Sequence, residues 1–129
     1  MSRNLLSQAL AAREYAIAPY SNFKVGAALE TIDGRVFAGC NVENASYGLT
    51  VCAERVALWK ALSEGAREFR EIAIVTDAQT LTFPCGACRQ LLWEFCGNIV
   101  VQLQSVNGSK AQYPLSDLLP HPFPAGDFQ

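Results

Sequence analysis

Cys52-Ala53-Glu54-Arg55 and Pro84-Cys85-Gly86-Ala87-Cys88 bring three cysteines and one glutamate into two short stretches. Each stretch reads as the first turn of a helix. Cys85 and Cys88 are three apart and share a helical face, so both sulfurs can grip one ion. Cys52 opens the other helix. Three thiolates fill three corners of a zinc tetrahedron and leave the fourth open, the mark of a catalytic rather than a structural site. Glu54 lies two residues past Cys52 and would point away from it in mid-helix. At a helix end the metal lies beyond the N-terminus, where residues of the first turn can reach it.

The charges define what else the site needs. Zinc brings two positive charges and three thiolates bring three negative ones, and thiolates also donate strongly, which weakens the ion as a Lewis acid. The partial positive charge at each helix N-terminus favours thiolate and restores part of that power. Arg55 is adjacent and always charged, so it is assigned to hydrogen bonding with the thiolates. Glu54 is the acid/base group: it takes a proton from a water that the ion acidifies and hands it on. A carboxylate that must act first as base and then as acid should not itself be a zinc ligand.

Blander readings stand beside this one. Cys-x-x-Cys alone also fits a structural zinc knuckle or a redox pair. A closed structural site needs a fourth ligand. Cys96 is roughly 12 Å along the helix from Cys88, too far to share the ion, and reads as a buried thiol beside Leu92 and Trp93. Cys40 is the one plausible fourth ligand. His121, the sole histidine, sits between prolines and reads as a surface loop residue. Phe23 fits a core position as well as a functional one.

The elements that must carry these residues follow from periodicity and turn residues. Residues 2–17 read as a helix with Leu5, Leu6, Ala9, Leu10 and Ala16 on its apolar face, Ser2 as a cap, and Pro19 beyond its end. Residues 25–32 and 36–42 read as strands joined by Asp33-Gly34, a hairpin turn. A loop over 43–50 leads to a helix over 52–63, closed by Gly65. Residues 71–76 form a strand, 85–96 a helix between Pro84 and Gly97, and 99–104 another strand. Asn107-Gly108 turns the chain back into 111–113, and a short helix near 115–119 precedes a Pro-rich tail. This order predicts an α/β fold: a three-layer α/β/α sandwich around a mixed five-stranded sheet, formed as a single domain over 1–129. Both site helices then start at the carboxyl edge of the sheet, where open α/β sheets place their sites.

Composition bounds the partners. The chain has 129 residues, 50% hydrophobic and 17% charged, with a net charge of −2, so it has the means to build a core. It has no cluster of Lys and Arg, and the electrostatic footprint of a nucleic-acid binder is missing. No apolar run has the length of a bilayer span, and the first residues do not form a signal peptide. Five cysteines, an odd count, in a chain read as unexported favour metal chemistry over disulfides and a cytoplasmic location. These features point to a small-molecule substrate, with no nucleic acid and no membrane.

With both motifs in place, the sequence resembles the cytidine deaminases of the small, homotetrameric, all-cysteine type. The likeness covers residues 18–28 (Ala-Pro-Tyr-Ser-Asn-Phe-Lys-Val-Gly-Ala-Ala), 39–47 (Gly-Cys-Asn-Val-Glu-Asn-Ala-Ser-Tyr), both cysteine motifs with Arg89 and Gln90, and Leu118-Leu119-Pro120 with Phe123. Several motifs in the right order are far more specific than Cys-x-x-Cys. The resemblance implies a hydrolase that converts cytidine and 2′-deoxycytidine to uridine and 2′-deoxyuridine with release of ammonia, in pyrimidine salvage. Hydroxide at the zinc attacks C4 while Glu54 carries protons to N3 and to the leaving amine. It implies one zinc per chain on Cys52, Cys85 and Cys88. Asn41 and Glu43 would bind the sugar hydroxyls, Phe23 would pack on the nucleoside, and the Ala53 backbone would hold the base. Ala45, Tyr47 and Phe123 would complete the pockets of neighbouring subunits, so that the homotetramer shares its active sites. A last strand antiparallel to its neighbour also fits the family. A relative acting on a cytidine-like antibiotic of the blasticidin kind would share the zinc motifs but not the Asn41-Val42-Glu43-Asn44 segment.

Overall fold

The computed structural model describes residues 2–124, with side chains from Leu5 onward. In chain order it forms α1 (Ser2–Arg13), β1 (Val25–Thr31), β2 (Val36–Cys40), α2 (Ala53–Ser63), β3 (Phe69–Thr76), α3 (Gly86–Cys96), β4 (Val100–Ser105), β5 (Lys110–Pro114) and α4 (Leu115–Leu118). The five strands make one sheet in the order β2-β1-β3-β4-β5. β3 and β4 are parallel, as the intervening helix requires, and every other neighbouring pair is antiparallel. The Asp33-Gly34 hairpin forms as expected, with Gly34 at φ 92°, a conformation glycine adopts at no steric cost.

Alternation along the strands sends side chains to opposite faces. Ala27 and Leu29 of β1 join Ile72, Ile74, Val101 and Leu103 in a core roofed by Leu58 of α2 and Leu92 of α3. Ala28, Ala73 and Val75 face the other way, against Leu5 and Ala9 of α1. The result is the three-layer arrangement predicted. Two glycines set how closely the layers approach. A Cβ on Gly26 would fall 1.9 Å from the Ala9 carbonyl, and one on Gly39 would fall 2.7 Å from the Ala57 nitrogen. Only glycine lets α1 lie so close on β1, and α2 on β2.

The topology also explains why two distant motifs meet. β2 and β3 are each antiparallel to β1, so they point the same way. The segments that follow them lead into α2 and α3, and both helices therefore begin at one edge of the sheet. Among the described residues, no helix is long and apolar enough to cross a membrane.

Three boundaries differ from the sequence reading by two residues or more, and others by one. α1 ends at Arg13 rather than at Ile17. Ile17 instead donates its N–H to the Asn41 carbonyl at 3.0 Å and accepts from the Glu43 N–H at 2.8 Å, so the chain leaves the helix to run beside the segment after β2. Arg13 anchors that exit through hydrogen bonds to Asp77 at 2.5 Å. β2 stops at Cys40, and Val42 forms isolated bridges to Ile17 and Val51. β3 begins at Phe69, which pairs with Thr31 across an irregular register. The Ser2 cap and the tail beyond Pro124 lie outside what is described.

Candidate functional site

Cys52 and Cys85 stand just before their helices rather than within them. Each is the N-cap, with extended backbone (φ −72°, ψ 152° and φ −66°, ψ 164°), and neither side chain caps its helix. Both thiols are therefore free to turn toward the space beyond the helix ends, and Cys88 reaches the same space from the first turn of α3. The three Sγ atoms lie within 4.8 Å of one another. Sulfurs around a tetrahedral zinc sit about 3.8 Å apart, given Zn–S bonds of about 2.3 Å. The three sulfurs need only small shifts to close on an ion, so the donor set and its spacing fit zinc with a fourth position open.

The electrostatics around the sulfurs match that use. Without a metal, Cys52 is pushed down to about 5 by the hydrogen bond from the Cys88 thiol and by Arg55 beside it. Cys88 is pushed far up, because it donates to Cys52 and is buried. Metal binding requires both sulfurs as thiolates and would release their protons. Arg55 Nη2 approaches Cys52 Sγ at 3.8 Å, and Arg55 Nε is buried with no hydrogen-bond partner among the described residues. The guanidinium is thus half-buried with one face on the Cys52 sulfur. Glu54 is only 5% exposed. Burial, aided by the Cys52 charge, pushes its carboxyl up to about 7, near the value suited to accepting and returning protons at neutral pH.

Glu54, Cys52 and Cys85 line one cavity of about 280 Å³ together with Phe23, Asn41 and Glu43, a volume suited to one small ligand. Ala53 lines it as well. The segment carrying Phe23 is held by the two residues expected to read a sugar. Asn41 Oδ1 accepts from the Val25 N–H at 2.9 Å, and its Nδ2 donates to the Phe23 carbonyl at 2.8 Å. Glu43 accepts from the N–H groups of Tyr20 and Ser21 at 3.0 and 3.1 Å and from the Ser21 hydroxyl at 2.5 Å. Asn22, at φ 57°, makes the left-handed turn that asparagine tolerates. Asn41 keeps one amide hydrogen and lone-pair capacity for a ligand, and Glu43 keeps lone-pair capacity.

Three expected residues do not line this cavity. Ala45 and Tyr47 are exposed, and Tyr47 forms a T-shaped ring contact with Tyr20, with centroids 5.3 Å apart. Phe123 is 60% exposed. Cys40 and Cys96 stay outside the sulfur cluster, so no Cys₄ site forms among the described residues.

Sequence reasoning missed several lining residues. Phe83 and Thr82 wall the cavity just before Pro84, and Thr76 contributes a buried hydroxyl with no hydrogen-bond partner among the described residues. Phe83 carried a signal, since it immediately precedes the cysteine motif. Thr76 carried none, since it reads as the end of an apolar strand.

The family model described as the cytidine and deoxycytidylate deaminase zinc-binding region matches residues 1–103. A cytidine deaminase of Halalkalibacterium halodurans is 51% identical over 124 residues, 95% of this chain and 94% of that protein. One of Sporosarcina psychrophila is 45% identical over 124 residues, 95% and 91% of the two chains. The crystal structure of cytidine deaminase from Burkholderia pseudomallei superposes with a TM-score of 0.92 at 52% identity, covering 95% of this chain and 99% of that one.

Proposed function

The chain belongs to the cytidine and deoxycytidylate deaminase zinc-binding family, and from that premise we propose that it hydrolyses cytidine and 2′-deoxycytidine to uridine and 2′-deoxyuridine, releasing ammonia. The observation that carries the reading is the buried carboxylate of Glu54 in the same cavity as Cys52 and Cys85, two of the three clustered thiols. When bound to Cys52, Cys85 and Cys88, zinc supplies Lewis acidity to a water molecule beside Glu54.

Glu54 takes a proton from that water as it adds to C4 of the base, and delivers one to ring N3. It then takes the remaining proton of the hydroxyl added at C4 and passes it to the exocyclic amine, so that the C–N bond breaks, ammonia leaves and C4 keeps a carbonyl oxygen. Burial serves this role twice. It lifts the carboxyl toward neutral pH and it keeps bulk water from competing for the protons. Arg55 offsets the surplus negative charge of three thiolates. Phe23 packs on the nucleoside, the Ala53 backbone holds the base, and the spare hydrogen-bonding capacity of Asn41 and Glu43 binds the sugar hydroxyls.

The reading extends to the assembly. Residues 1–129 act as one domain, and four copies form a homotetramer. Ala45, Tyr47 and Phe123 complete neighbouring pockets, a role supported by their exposure and by their absence from the chain's own cavity. Cysteines kept as metal ligands favour the reducing cytoplasm.

The test is deamination by the purified protein across cytidine, deoxycytidine, cytosine, cytidine monophosphate and blasticidin S, with zinc counted in the same sample. Turnover of the two nucleosides, poor turnover of free cytosine and about one zinc per chain is the expected result. One zinc with no turnover of any of the five would leave a structural metal site instead.

A further inference from the structure

Two residues after Cys88, on the outer surface of α3, Gln90 makes a reciprocal pair of hydrogen bonds with a single residue of the tail. Its Nε2 donates to the Phe123 carbonyl at 3.1 Å, and its Oε1 accepts from the Phe123 N–H at 2.9 Å. A primary amide is the side-chain group that can donate to a carbonyl and accept from an N–H at once, so the pairing copies one rung of a β-ladder. The tail is built to be held at this point. Phe123 stands between Pro122 and Pro124. Neither proline has an N–H to offer, and a residue that precedes proline is confined to extended backbone. The prolines stiffen the segment without attaching it, and Gln90 attaches it at its one available N–H. Arg89 secures the same segment further back, donating to the Leu118 carbonyl at 2.9 Å. The outcome is a large aromatic side chain on a fixed backbone, 60% exposed and outside the cavity of its own chain.

We propose that Gln90 is a positioning residue for the reaction, fixing the Phe123 backbone so that its ring is presented to the nucleoside pocket of a neighbouring copy. This rests on the reading that Phe123 completes a pocket in trans. Gln90 never meets the substrate. It removes the conformational freedom that Phe123 would otherwise lose on binding, and so acts on affinity for the nucleoside rather than on the chemical step.

The experiment is a double-mutant cycle on the zinc-loaded tetramer, with KM and kcat for cytidine measured separately and assembly checked by light scattering. Phe123→Ala should raise KM about tenfold or more, the scale of a lost aromatic contact. Gln90→Leu should raise KM about three- to tenfold with kcat unchanged, the scale of lost hydrogen bonds, and should add almost nothing on a Phe123→Ala background. Gln90→Glu keeps the acceptor for the Phe123 N–H and loses the donor, so it should fall between wild type and Gln90→Leu. It also serves as the test variant if Gln90→Leu does not assemble. If Phe123→Ala raises KM and the Gln90 variants do not, Gln90 has no positioning role while the shared pocket stands. Effects that add rather than overlap would place the action of Gln90 elsewhere and overturn the inference. An unchanged KM in Phe123→Ala would remove the shared-pocket reading and this inference with it.

Discussion

The N-termini of α2 and α3 begin alike and do different work. Each helix is preceded by a cysteine in extended backbone, and each carries an arginine within its first turn or just after it, Arg55 and Arg89. In α2 the first turn is buried: Ala53 and Glu54 are sealed under the sheet edge, and Arg55 turns to the Cys52 sulfur. In α3 Cys85 and Gly86 are exposed, and Arg89 turns away from the sulfurs to the carbonyls of Pro84 and Leu118. Under the proposed function, one end supplies electrostatics and a proton-carrying carboxylate. The other supplies two sulfurs and the mechanical hold on the loop before it and the tail after it. Burial makes the difference at Glu54, since a charge counts for far more when water is excluded, whereas Arg55 and Arg89 are both half-buried and differ in their partners.

The sharpest break of this comparison is at the sulfurs. Cys88→Ala should leave zinc well below one per chain by elemental analysis and abolish turnover, and full zinc occupancy would detach α3 from the metal. Next, Glu54→Gln should retain zinc and assembly while kcat falls about a hundred- to ten-thousandfold, the range for a lost acid/base group. Near-normal kcat would remove α2's claim to the proton chemistry. The two arginines should then separate. Arg55→Ala should lower kcat about tenfold or more, as expected of a partner that tunes metal ligands. Arg89→Ala should spare kcat and lower stability by about 1–2 kcal/mol, a fall of several degrees in melting temperature. Equal kcat losses in both variants would erase the distinction. The smallest effect is read by alkylation with iodoacetamide at pH 8, followed by mass spectrometry. Chelating the zinc should open exposed Cys85 to labelling. Cys96, at the far end of the same helix, should stay silent with or without metal. Cys96 is half-buried rather than the fully buried thiol of the sequence reading, yet desolvation pushes its thiol up to about 12, and alkylation needs the thiolate, so labelling would rise only as pH climbs toward that value. Fast labelling of Cys96 at pH 8 would count against its burial.

The sequence made most of the chemistry legible. Cys52, Cys85, Cys88 and Glu54 are recognisable because metal ligation depends on residue type and short spacing. The hairpin at Asp33-Gly34 is equally local, since the turn residues themselves demand it. The strand and helix set follows from periodicity. Less legible were the ends of elements. Residues 14–17 are good enough helix formers, yet they leave α1 because Ile17 pairs with Asn41 and Glu43, partners no local pattern names. The resemblance assigns Asn41 and Glu43 to the sugar, and the fold adds that they clamp the Phe23 segment.

What the sequence alone determined, then, is the donor set, the carboxylate beside it and the elements that bear them, because each depends on neighbours a few residues away. Only the tertiary structure decided the rest. It brings Cys52 against the Cys85–Cys88 pair through two strands that point the same way. It sends Arg55 to sulfur and Arg89 to carbonyls, and it ties Gln90 to Phe123 across 33 residues of chain. Those partners are selected by packing and burial, which sum over the whole sheet and leave no mark at any single position.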